Sequence, residues 1–187
     1  MIERVGILAI QGDVQAHRRM LEGLGVEVSE VLSESDLDAV DALVIPGGES
    51  TTIAKGIARL GLREALQKRI AHGMPVLGTC AGAILLAREV ENHPVPVLGA
   101  MDVTAVRNAY GTQVDSFAAQ AEDAVAGLED LRCVFIRAPQ LRRPGSEVEV
   151  LARVDGWPVA VRQGNILATT FHPELTDDPR IHRLLLA

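Results

Sequence analysis

Pro75-Val76-Leu77-Gly78-Thr79-Cys80-Ala81-Gly82 is the stretch on which the fold turns. Its first half is a short apolar run bounded by proline and glycine, which reads as a strand buried on both faces. Its second half fits Gly-x-nucleophile-x-Gly, and residues 83–90 carry a helical pattern. Upstream the same alternation recurs. Val5-Gly6-Ile7-Leu8-Ala9-Ile10 reads as a strand bounded by Gln11-Gly12. Asp13 can cap a helix carrying Val14, His17, Leu21 and Leu24 near helical spacing, with Gly23 and Gly25 at its end. Residues 26–32 form a second strand. Ala42-Leu43-Val44-Ile45 forms a third, stopped by Pro46-Gly47-Gly48. One helix follows from Thr51, and another carries Leu62, Ala65, Leu66, Arg69 and Ile70.

Downstream of the elbow the pattern changes. Residues 97–103, 133–136 and 148–154 are candidate strands, and 107–120 has no period and reads as a loop. Residues 159–162 and 166–171 flank Gln163-Gly164-Asn165 as a hairpin, and a short helix covers 179–186. The expectation is an α/β fold with a doubly wound, mostly parallel central sheet, helices on both faces and an antiparallel strand region in the C-terminal half. A single domain, 1–187, suits the length. In such sheets sites form at the carboxyl ends of strands. Gln11-Gly12, Pro46-Gly47-Gly48-Glu49-Ser50 and Thr79-Cys80-Ala81-Gly82 all lie there.

The balance of 18 basic against 25 acidic residues gives a net charge of −7, with no basic cluster longer than a pair or two. That argues against an electrostatic binder of nucleic acid or anionic membrane. Phe117, Phe135, Phe171, Tyr110 and Trp157 are the only aromatics, too few for base-stacking platforms or aromatic carbohydrate clefts. The N-terminus shows no signal-peptide pattern, and no apolar run approaches the roughly 20 residues of a membrane span. A cytoplasmic chain keeps Cys80 and Cys133 as thiols.

The two thiols differ in context. Cys80 sits in an elbow whose helix N-terminus favours negative charge and offers the Ala81 N–H to an oxyanion. The bland alternative is a small buried hydrophobe, with glycines that only permit close packing. Cys133, within an apolar run, reads as core. A thiol nucleophile needs a base. His17, on a helix, His72, at a helix end, His93, in a proline-flanked loop, and His182, on the terminal helix, read as structural or exposed. His172 follows an apolar strand in His172-Pro173-Glu174, where the carboxylate can accept Nδ1–H and leave Nε2 to the thiol. Gly47-Gly48 permits close backbone approach to a ligand, with the Gly48 N–H as a second oxyanion donor; the plainer reading is a turn capped by Ser50 or Thr51. No zinc-site spacing is present, and neither a metal nor a cofactor is expected.

With these residues in view, the sequence resembles the class I, triad-type glutamine amidotransferases. More narrowly, it resembles the glutaminase subunits of pyridoxal 5′-phosphate synthase. The elbow and His-Pro-Glu mark the class. The narrower likeness rests on Leu8-Ala9-Ile10-Gln11-Gly12-Asp13, Pro46-Gly47-Gly48-Glu49-Ser50-Thr51-Thr52, Arg107-Asn108-Ala109-Tyr110-Gly111, Gln113-Val114-Asp115-Ser116-Phe117, Phe135-Ile136-Arg137-Ala138-Pro139 and Phe171-His172-Pro173-Glu174-Leu175-Thr176. The resemblance implies that Cys80 is the nucleophile, His172 the acid and base, and Glu174 its orienter. It implies a glutamine pocket lined by Gly47, Gly48 and Glu49, with Arg107, Ile136 and Arg137 holding the amino-acid head group. It places Gln11 at the contact with a synthase partner that uses the ammonia, and it implies no cofactor. Thr112, Ala118 and the short C-terminal helix depart from the family pattern at positions bearing on partner docking. The rival readings are a glutaminase serving another synthase, a cysteine hydrolase or stress protein on a similar fold, and a non-catalytic scaffold.

Overall fold

The structure is a computed structural model that describes residues 1–109 and 116–187. Residues 110–115, Thr112 among them, lie outside the described residues. In chain order the elements are β1 (Arg4–Leu8), α1 (Val14–Gly23), β2 (Glu27–Val31), α2 (Glu34–Asp38), β3 (Ala42–Ile45), α3 (Ser50–Arg59), α4 (Arg63–Ala71), β4 (Val76–Thr79) and α5 (Ala81–Leu86). Then come β5 (Ala87–Glu91), β6 (Met101–Val106), β7 (Ser116–Gln120), β8 (Arg132–Ile136), β9 (Gln140–Arg142), β10 (Glu149–Val154), β11 (Trp157–Gln163), β12 (Ile166–Thr169), a 3-10 turn (Pro173–Leu175) and α6 (Arg180–Leu185).

Among the described residues the main sheet has seven strands in the order β10-β11-β12-β4-β3-β1-β2. The run from β12 to β2 is parallel, and β11 and β10 add antiparallel at the other edge. The period of two along each strand explains why both faces are apolar. Leu43, Ile45 and Val76 face one core with α2, α3, α4, α5 and β6. Val5, Ile7, Ala42 and Val44 face the other with α1, α6 and β8. Helices therefore cover both faces, as the alternation of the first half predicts.

Several boundaries differ from the sequence expectation. The helix expected over 83–90 ends at Leu86, and Ala87–Glu91 is strand β5. β5 pairs with β6, where Thr104 Oγ1 donates to Glu89 Oε1 at 2.7 Å and Arg88 pairs with Asp102. Cross-strand bonding thus overrides local helical propensity. The strand expected at 97–103 is shifted to Met101–Val106. Part of the 107–120 loop is strand: Ser116–Gln120 pairs antiparallel with β8, and Phe117 stacks on Phe135 with centroids 4.6 Å apart. Ala118 lies in this strand opposite Val134. Neither α2, capped by Ser33, nor the short β9 was expected from the pattern.

The parallel register fixes the site. β1, β3, β4 and β12 all run the same way, so Gln11, Gly47-Gly48, Cys80 and His172 emerge at one edge of the sheet.

Candidate active site

Cys80 leaves β4 at φ 50° and ψ −102°, a conformation that a side chain rarely adopts and that aims it out of the strand end. Its N–H donates to the Thr169 carbonyl at 2.8 Å, and its own carbonyl accepts from Ile84 N, opening α5. Gly82 is required for packing, because a Cβ there would overlap the Ile45 carbonyl oxygen of β3. The elbow glycine therefore does permit close packing, and it does so while Cys80 is turned out of the strand end. The Cys80 Sγ lies 3.7 Å from the Ile136 carbonyl oxygen.

β12 delivers His172 from the neighbouring strand. The His172 N–H donates to the Val134 carbonyl at 2.8 Å, and Pro173 opens the 3-10 turn that folds Glu174 back. His172 Nδ1 and Glu174 Oε1 are 2.7 Å apart, with both side chains buried. Nδ1 is thereby occupied, leaving Nε2 for the hydrogen bond with Cys80. Burial opposes a charged imidazole here. The hydrogen bonds to Cys80 and Glu174 and their charges outweigh it, pushing the His172 pKa up to about 10. Burial likewise acts against the Glu174 carboxylate, yet the His172 hydrogen bond and the neighbouring imidazoles hold its pKa below the usual value.

The loop after β3 completes the wall. A Cβ on Gly47 would overlap His172 Cε1, so this glycine lets the loop close against the imidazole. Glu49, rather than Ser50 or Thr51, caps α3: its carboxylate accepts from Thr51 N at 3.1 Å and Thr52 N at 2.8 Å. A longer side chain reaches those amides because the Gly47-Gly48 turn brings the backbone round. Burial raises the Glu49 pKa and is the largest single influence, but the hydrogen bonds from Thr51 and Thr52 together outweigh it and lower the pKa, keeping the carboxylate ionised. Its Oε1 also pairs with Arg107 at 3.1 Å, while Arg107 donates to the His93 carbonyl at 2.7 Å. Gln11 Oε1 accepts the Glu49 N–H at 2.6 Å and so grips the Gly48–Glu49 peptide.

These residues surround a cavity of about 570 Å³. Gly48, Glu49, Cys80, Arg107, Ile136, Arg137 and His172 line it. Gly47 and Glu174 stand behind its wall, Ala81 begins α5 beneath Cys80, and Gln11 lies outside against Gly48. The lining also includes Ser50, Ile84, Asn108, Ser116 and Pro139. A thiol, a charged imidazole, a carboxylate and helix-start amides around one cavity suit attack on an acyl carbon. Among the described residues no group of three His, Cys, Asp or Glu side chains is placed to hold a metal ion.

Three polar residues behind the cavity escaped the sequence reading as site residues. His17 and His182 are both fully buried, with His17 Nδ1 2.8 Å from His182 Nε2. His17 Nε2 reaches Thr79 Oγ1 at 3.4 Å and Glu174 Oε2 at 3.5 Å. The signal was a histidine at an apolar position of α1, three and four residues from Val14 and Leu21. His72 and Cys133 behave as expected: His72 caps α4, and Cys133 is buried core.

Residues 7–187 match the SNO glutamine amidotransferase family. The chain belongs to this family. Among its curated relatives, the protein named pyridoxal 5′-phosphate synthase subunit PdxT of Herpetosiphon aurantiacus is 53% identical over 186 residues, 97% of this chain and 98% of the relative. The Thermus thermophilus protein of the same name is 52% identical over 97% of this chain and 95% of its own. The Thermotoga sp. (strain RQ2) protein is 49% identical over 98% and 97%. A crystal structure of a glutamine amidotransferase superposes with a TM-score of 0.91 at 49% identity, over 97% of this chain and 96% of that one. The family fold extends further: the PurLQS structure from Thermotoga maritima reaches a TM-score of 0.73 at 18% identity. No described helix is long and apolar enough to cross a membrane.

Proposed function

We propose that the chain, as a single cytoplasmic domain over 1–187, hydrolyses L-glutamine to L-glutamate and ammonia through Cys80, His172 and Glu174. The ammonia passes to the synthase subunit of pyridoxal 5′-phosphate synthase. The family match and the names of near-full-length relatives support the assignment. The observation that carries the chemistry is the meeting of Cys80 with a Glu174-bound His172 at adjacent parallel strand ends, in one cavity.

Cys80 gives its proton to His172, the thiolate attacks the γ-carboxamide carbon, and the carbonyl π-electrons move onto oxygen. Gly48 and Ala81 supply N–H groups to that oxyanion; one such donor is worth about 3 kcal/mol. As the intermediate collapses, the C–N bond breaks and imidazolium His172 gives its proton to the departing nitrogen, releasing ammonia. Neutral His172 then takes a proton from water as the water oxygen attacks the γ-glutamyl thioester. The C–S bond breaks and glutamate leaves. Glu174 stabilises the imidazolium and keeps its own proton count unchanged. Glutamine also carries an α-carboxylate and an α-ammonium. Arg107 and Arg137 suit the first, and the ionised Glu49 with the Ile136 carbonyl suits the second.

Gln11 gates the site in this reading. Its hold on the Glu49 N–H fixes the backbone around Gly48, and docking of the partner beside Gln11 releases that hold, so that the Gly47–Gly48 peptide can turn its N–H to the oxyanion. The test is glutamate release by the chain with and without the synthase subunit, run beside Cys80→Ala. Strong stimulation by the partner and loss in Cys80→Ala are expected. No glutamate under either condition overturns the assignment, and a full rate without the partner overturns the gate.

A further inference from the structure

Glu174 has two carboxylate oxygens, and the triad uses one. Oε1 accepts from His172, while Oε2 is buried without a close hydrogen-bond partner. The group facing Oε2 is His17 Nε2, at 3.5 Å. An unpartnered carboxylate oxygen in a buried site is costly, so the protonation of His17 matters to the triad.

The hydrogen-bond geometry leaves one economical arrangement. His17 Nδ1 and His182 Nε2 are 2.8 Å apart, so one of them carries the shared hydrogen. His182 Nδ1 is buried and has no partner. If His17 donated through Nδ1, His182 would have to carry its hydrogen on the orphaned Nδ1, and the bare His17 Nε2 would point its lone pair at a carboxylate. If His182 donates through Nε2 instead, its Nδ1 is an unprotonated lone pair. His17 Nδ1 then accepts, and the His17 Nε2–H lies between Thr79 Oγ1 and Glu174 Oε2. Of the two neutral arrangements, only the second places hydrogen where the acceptors are.

We propose that His17 and His182, both in the Nε2–H form, are a positioning relay that fixes the back of Glu174 and through it the catalytic imidazole. The inference rests on the glutaminase reading above. The groups facing His17 are Asp13 on its own helix, Thr79 on β4, His172 and Glu174 from the 3-10 turn segment, and His182 on α6. Burial keeps His17 and His182 neutral against the pull of Glu174, which lets His182 donate through Nε2 and lets His17 accept on Nδ1 while donating through Nε2. Thr79 ties the relay to the nucleophile, since it is the residue before Cys80.

The full chain labelled with 15N-histidine reports the tautomers directly by long-range proton–nitrogen correlation. Nε2–H signals for both His17 and His182 are expected; an Nδ1–H form of either, or a charged His17, overturns the relay. The second arm measures glutamate release by the complex with the synthase subunit. Compared with wild type, His17→Phe is expected to lower kcat about tenfold with the KM for glutamine little changed, as expected for a donor acting through a hydrogen-bonded partner. Its acidic limb should move up by about one pH unit, because Glu174 loses a donor to its charged form. His17→Gln, which can return an N–H toward Oε2, should recover most of both. Equal losses in the Phe and Gln variants with an unmoved acidic limb overturn the relay. A wild-type complex that releases no glutamate overturns the glutaminase reading instead, and the tautomers then decide the relay alone.

Discussion

The chain holds each of two chemically versatile residue types in two settings. Cys80 and His172 face the cavity at the carboxyl edge of the sheet; Cys133 and His182 lie in the core behind it. Burial drives both core groups to neutrality, with Asp178 adding to it at Cys133 and His17 at His182, pushing the Cys133 thiol up to about 12 and the His182 imidazole down to about 3. His172 is also buried, yet its pKa goes up to about 10, because it meets a carboxylate on one nitrogen and a thiol on the other. The lesson is that exclusion from water does not by itself make a reactive group. Reactivity comes where exclusion is combined with a fixed partner of the opposite charge.

The sharpest way to break this contrast is to remove the sulfur. Cys80→Ala should reduce glutamate release by about a millionfold, in line with loss of a nucleophile from a triad. The purified variant should still bind the synthase subunit in sedimentation or pull-down. Next comes the charge behind His172. Glu174→Gln keeps the length of the side chain and removes its charge; a loss of about 10⁴-fold in kcat is expected, measured in the complex. A loss below tenfold would mean that the imidazole needs only a tether.

The pH dependence separates the two histidines more gently. The His172 pKa is raised from 6.5 to about 10 in the folded chain. The stability it contributes is therefore complete below the unfolded value and is lost as pH rises from there through about 10. Denaturation midpoints should fall across that window in wild type, and fall less in Cys80→Ala, which lacks one partner of the pair. Glutamate release that depends on imidazolium should decline along the same alkaline limb. The smallest effect belongs to the other thiol. Cys133→Ala should leave kcat unchanged and cost about 1 kcal/mol of stability by denaturant titration. In wild type, a thiol-alkylating reagent should modify Cys80 well before Cys133.

Much of the arrangement was legible in the residues. β1, β3 and β4 were readable because strands buried on both faces leave continuous apolar runs, and the hairpin before His172 was marked by its turn. The elbow and His-Pro-Glu fall at the two strand ends that the register makes neighbours. What was not legible depends on distant pairing. Ala87–Glu91 follows a helix without a break and becomes strand only because β6 lies beside it. Ser116–Gln120 needs β8 to be a strand at all. The Glu49 cap depends on the curvature of the preceding glycines, and the bond between His17 and His182 spans 165 positions, which no local pattern reports.

The place of β12 has a consequence for how the molecule is made. It is the last strand in chain order, yet it sits between β4 and β11, in the middle of the sheet. During synthesis the Cys80 turn emerges long before His172. Until β12 slides in, β4 presents an unpaired apolar edge, the kind of surface that invites mispairing with other chains. The same event that seals this edge brings His172 to Cys80. With the chemistry proposed above, a growing chain is silent while it is most adhesive, and it becomes reactive only in the step that removes the hazard.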